Sequence, residues 1–215
     1  MNWENIDPIF LKTCQYFIST LVICLILFFV SNRDWMKTDK RFIVKKGIDC
    51  IVSIFIYSYI VIMIHFYEYI PSKNTISFSE LIPYFAVALF MLGSVITQFV
   101  IFSKVNEKNL KKATFAAVII SLIVKMLMAF SSINYLIYTL NPSFYIIPEG
   151  LNFVEIGFEF VYYTFNLMIT YGGTSIDAVG IISKIVQMSE IIIVYIFVGI
   201  YFSGLLGKLK LVSED

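Results

Sequence analysis

The sequence predicts an all-α integral membrane protein with five transmembrane helices plus one re-entrant helix and its loop. Three observations lead there. Only 14% of the 215 residues are charged and 59% are hydrophobic, against about 25% charged in a soluble domain. Mean hydropathy is +0.85. Five apolar runs each reach the roughly 20 residues that a membrane-crossing helix needs. A sixth, shorter apolar segment carries two carboxylates and runs into the glycine-containing stretch Thr170-Tyr171-Gly172-Gly173-Thr174-Ser175.

The first run covers residues 9–30. The residues before it include Glu4 and Asp7 and are acidic, which does not fit the positively charged start of a cleaved signal peptide. The second run covers 48–70 and the third 83–104. Cys14, Cys24 and Cys50 all fall in or at the end of these runs, where a cysteine behaves as a small hydrophobe. His65 and Glu68 stand three residues apart near the end of the second run, on one helix face, beside aromatic neighbours that suit an interfacial histidine. The fourth run covers 115–140 and has Lys125 near its middle; the fifth covers 178–206 with Glu190 near its middle. A charge at that depth is costly, by about 2.5–3.5 kcal/mol on insertion scales, and faces protein or water. The two depths differ by on the order of 7 Å at 1.5 Å per residue. Either Lys125 and Glu190 form an ion pair, or Glu190 faces a cavity.

Orientation follows from the basic residues. Arg33, Lys37, Lys40, Arg41, Lys45 and Lys46 follow the first run, Lys104, Lys108, Lys111 and Lys112 follow the third, and Lys208 and Lys210 follow the fifth. That places twelve of the sixteen basic residues on one side. The positive-inside rule then puts the N-terminus outside and the C-terminus in the cytoplasm of a multi-pass cell-membrane protein. No soluble domain is expected after the fifth run. A net charge of +1 gives no reason to expect nucleic acid as a partner, and neither a phosphate-cradling glycine loop nor a nucleophile–base set is present. The sequence therefore points away from an enzyme and from an organic cofactor. No span has the arginine repeat of a voltage sensor.

The re-entrant segment covers residues 152–169. It runs directly into Thr170–Ser175, and the fifth span follows. Non-helical backbone at membrane depth is tolerated only where it is buried in protein or lines a cavity. Gly172 and Gly173 let carbonyls turn toward an axis, Thr170 adds a hydroxyl, and a helix ending near Ile169 points its negative end there. Glu149, Glu155 and Asp177 add negative charge on the same side.

These residues resemble the potassium-channel pore family, tetrameric cation channels built from an outer helix, a re-entrant pore helix, a filter and an inner helix. With Thr170 on the filter threonine and Gly172 on its first glycine, Tyr162-Tyr163 falls on the family's paired pore-helix aromatics. Ser183-Lys184 then falls on a small-then-basic pair near the start of the inner helix. The resemblance covers residues 115–206. It divides the chain into a three-helix transmembrane region, 1–112, and a pore domain, 113–215. It implies an ion-binding filter of Thr170, Tyr171, Gly172, Gly173 and Thr174, a homotetramer in the lipid bilayer, and K⁺ or another monovalent cation as the permeant ion, bound at the filter alone. Within the filter Tyr171 replaces valine, Gly173 tyrosine, Thr174 the second glycine and Ser175 aspartate. A non-conducting membrane subunit or scaffold with a degenerate pore fold is the alternative. A regulatory partner is compatible with either.

Overall fold

The computed structural model describes residues 39–68, 78–104, 112–169 and 174–212. The first predicted span, 9–30, lies outside the described residues. The described chain is helical apart from one short strand pair: α1 (Asp39–Glu68), α2 (Phe78–Lys104), α3 (Lys112–Leu140), a 3₁₀ turn at Pro142–Phe144, β1 (Tyr145–Ile146), α4 (Phe153–Met168), β2 (Asp177–Ala178) and α5 (Ile181–Val212). Three helices among the described residues are long and apolar enough to cross a membrane, over Ile43–His65, Phe78–Gln98 and Ala116–Leu140. The chain divides into two compact units, Met1–Ile133 and Asn134–Asp215. The division falls within α3.

In the first unit a largely apolar core also takes in charged and polar side chains, while large apolar side chains face outward. Lys46, Asp49 and Ser53 on α1, Gln98 on α2, and Ser121 and Lys125 on α3 are buried. Val44, Ile51 and Phe55 on α1, and Phe78, Ile82, Leu89 and Ile96 on α2, are exposed. Large apolar side chains turned outward over whole helices need a non-aqueous surrounding, and buried charges need partners. Both conditions describe a protein in a bilayer.

The buried charges form one network. Lys46 Nζ meets Asp49 Oδ2 at 3.1 Å and donates to Gln98 Oε1 at 3.2 Å. Lys125 Nζ meets the same Asp49 oxygen at 3.2 Å. Ser53 Oγ donates to the Asp49 carbonyl at 2.8 Å, four residues back. One carboxylate thus joins α1 to α3, and one lysine joins α1 to α2. Lys46 stands inside the helix as part of this network, not in a connecting link as its place in the basic run suggests. Helix α1 starts at Asp39, well before residue 48, because the charged first turns continue the helix ahead of the apolar stretch. Pro83 likewise lies inside α2, not at its start; as the sixth residue it stands past the four orphan amides of the first turn, so its ring removes one intrahelical hydrogen bond.

The second unit is assembled by caps and a small sheet. Asn141 accepts from Ser143 N and holds the 3₁₀ turn in which Pro142 supplies the first position. Asn152 accepts from the amides of Val154 and Glu155, while Glu155 accepts from Asn152 N at 2.7 Å. This capping box satisfies the first orphan amides of α4. Helix α4 therefore occupies 153–168, within a residue of the predicted 152–169. The strand pair was not predicted: Tyr145 pairs with Ala178 and Ile146 with Asp177, antiparallel, so α5 begins at Ile181 and not at residue 178.

Candidate functional site

The site is the surround of the loop between α4 and α5. Thr170, Tyr171, Gly172 and Gly173 lie outside the described residues; Thr174 and the flanks are described. Thr174 Oγ1 donates to the Ile176 carbonyl at 2.5 Å, and Ile176 is fully buried. Ser175 Oγ donates to Glu159 Oε2. Glu159 stands ten residues before Ile169 on α4, about 15 Å back along a helix of 1.5 Å rise. By Ser175 the chain has thus returned along α4 to the level of its middle.

The loop's second flank is fixed to the start of the connection between α3 and α4. Val179 N and Gly180 N donate to the Phe144 carbonyl at 3.0 and 3.1 Å. Ser183 Oγ reaches the same oxygen at 2.8 Å. At Gly180 the two segments approach so closely that a Cβ would stand 2.5 Å from Phe144 Cδ1 and 3.0 Å from its Cα. The three donors and the glycine pin the first turn of α5 to residue 144.

One face of α4 enters an aromatic cluster. The Phe160 ring meets Tyr145 at 5.1 Å and 87°, Tyr135 at 5.9 Å and 86°, and Tyr138 at 5.5 Å. Tyr163 meets Tyr145 at 6.1 Å and 86°. Edge-to-face pairs of this kind add about 0.5–1.5 kcal/mol each beyond area burial. The opposite stripe of α4, Val154, Phe158, Tyr162, Phe165 and Ile169, is exposed and follows the helical repeat. The adjacent tyrosines thus separate: Tyr163 is buried, Tyr162 outward. Helix α5 carries a second outward apolar set, including Ile185, Met188, Ile192 and Ile196.

A polar knot joins α3, β1, α4 and α5, and among the described residues its carboxylate has no charged partner. Tyr145 Oη donates to Asn134 Oδ1 at 2.7 Å. Asn134 Nδ2 donates to Glu190 Oε2 at 3.3 Å and, more weakly, to Thr164 Oγ1 at 3.4 Å. Asn134, Thr164 and Glu190 are fully buried. Burial pushes the Tyr145 phenol above its usual range, with Tyr163 and Glu190 adding to the effect, so it stays a donor at ordinary pH. Lys125 and Glu190, for which a mutual ion pair was one expectation, have other partners: Asp49 and Asn134.

Asn134, Tyr145 and Thr164 are not singled out by the sequence reading, and Glu159 and Ser175 enter it without being expected as partners. Asn134 had a usable signal, since an amide at span depth in an apolar run commonly bonds a neighbouring helix. The others had none, because hydroxyls and a carboxylate in a loop or on a short helix have many harmless roles.

No protein-family model matches the chain, and neither the curated proteins nor the solved structures give a match.

Proposed function

We propose that the chain is one subunit of a homotetrameric channel for monovalent cations, K⁺ or a less selective set. In this reading α3 is the outer helix, α4 the pore helix and α5 the inner helix. Residues 170–174 form the filter wall, and residues 9–30 and α5 complete five spans with the N-terminus outside. The observation that carries it is the bond from Ser175 back to Glu159. Six residue steps from Ile169 to Ser175 reach about 20 Å when extended, enough to cover the 15 Å return.

Three features support the reading. The capped α4 is too short, at 16 residues, to cross a bilayer core of about 30 Å. Its last turn presents its negative end to the loop, which favours a cation. The outward stripes of α4 and α5 leave apolar surface that neighbouring copies would cover, and one loop is only one wall of a pore. Ions would cross as backbone and hydroxyl oxygens replace their water; no residue acts as a catalyst.

The test is cation flux from purified protein in liposomes, with the subunit count measured on the same sample. Flux that G172V abolishes in a correctly assembled tetramer supports the proposal. A folded tetramer without flux points to the scaffold with a degenerate pore fold, and an assembly that is not fourfold defeats the pore.

A further inference from the structure

The knot at Asn134 contains more polarity than packing requires. Glu190 is fully buried and bonds Asn134; among the described residues its second oxygen, Oε1, meets no hydrogen-bond partner, and neither does the buried Tyr163 Oη. A half-satisfied polar network in a low-dielectric interior costs free energy, and apolar residues of similar volume would commonly be neutral or better. Stability alone therefore does not account for Glu190. What sets it apart is connectivity: α3 contributes Asn134, β1 Tyr145, α4 Thr164 and α5 Glu190, and every bond passes through the Asn134 amide.

We propose that Asn134 and Glu190 are positioning residues that lock the short helix α4 to α3 and α5, and so fix the helix from which the chain enters the α4–α5 connection. The inference rests on the channel reading for its consequence but not for the lock itself. The Asn134 amide can satisfy all its neighbours only when the three helices are in register. A shift of α5 by one residue moves Glu190 by about 1.5 Å, enough to break a bond already at 3.3 Å.

The test compares E190Q and E190L, in the full chain in nanodiscs and liposomes, by backbone hydrogen exchange over 153–168 and by cation flux. Gln keeps an acceptor for Asn134 Nδ2, whereas Leu removes it. The expected result is exchange over α4 raised about tenfold in E190L, the size of one lost net hydrogen bond, and near wild type in E190Q. Flux should change in E190L and recover in E190Q. Unchanged exchange in E190L overturns the lock, as does equal loosening in both variants. Raised exchange with wild-type flux also overturns the claim that the lock bears on conduction. If the unmodified protein carries no flux while E190L alone loosens α4, the channel reading fails and the lock stands.

Discussion

The Tyr145 hydroxyl donates to Asn134 Oδ1 at 2.7 Å, and Tyr145 is 5% exposed. Two residues at opposite ends of the α3–β1 connection are thereby tied together under the aromatic cluster. Changing Tyr145 to Phe keeps the ring against Phe160 and leaves a buried acceptor without its donor. The expected loss is about 1–3 kcal/mol, read as a lower melting temperature in detergent. The same phenol gives a pH dependence. Its pKa is raised in the folded state above the ordinary phenol value of 10.0, so below that value both states hold the proton and stability is unaffected. Above it the unfolded chain ionises first, and stability falls as pH rises. A pH series of melting temperatures should fall less steeply above pH 10 in Y145F than in the unmodified protein.

The network at Asp49 orders three substitutions. One carboxylate serves Lys46 and Lys125 together, and all three side chains are buried. D49N strands two buried ammonium groups, a change that costs about 3–5 kcal/mol. K125M removes one cation and leaves Asp49 with Lys46, so its cost is smaller, and D49N/K125M should recover part of the D49N loss. Melting or denaturant series on the three variants check the order. A K125M protein less stable than D49N would show that Lys125 has a role that Asp49 does not share.

Local periodicity is legible in the sequence and long-range pairing is not. The three apolar helices and the capped α4 follow from run length and from Asn152 and Glu155, because each is decided within about 20 neighbouring residues. The start of α1 was misplaced, since a helix does not stop where hydropathy does, and Lys46 looked like a topology signal although it is buried. The two-residue strands depend on Tyr145 meeting Ala178 across 33 residues, and no local pattern encodes that. Lys125 and Glu190 were legible as costly charges that need partners. Their partners were not, because depth along a helix does not say which face a residue occupies.

Gly180 and Gly199 should respond in opposite directions to alanine. At Gly180 the new Cβ meets Phe144, including its Cα at 3.0 Å, so the first turn of α5 must move from the carbonyl that three groups share. A loss of about 1–3 kcal/mol is expected. Gly199 lies within α5 and a Cβ there meets nothing within 4 Å. G199A should be neutral or stabilise by up to about 1 kcal/mol. If a bend at Gly199 opens the pore, G199A will also reduce flux while leaving melting intact, which separates a hinge from a passive glycine.

Ser175 and Glu159 give the sharpest separation of stability from function. Ser175 is exposed and Glu159 half-buried, so their bond adds no more than about 1 kcal/mol to folding in a wet setting. Its geometric effect is larger, because it anchors the end of the loop to the middle of α4. E159A should therefore melt within about 1 kcal/mol of the unmodified protein and still lose most of its cation flux. E159Q keeps an oxygen for Ser175 Oγ and should retain flux; S175A should resemble E159A. Flux measured on the three variants in liposomes, with melting as the control, decides the matter. Wild-type flux in both E159A and S175A would mean that the return along α4 is held by other contacts, and the anchor would be dispensable to the pore.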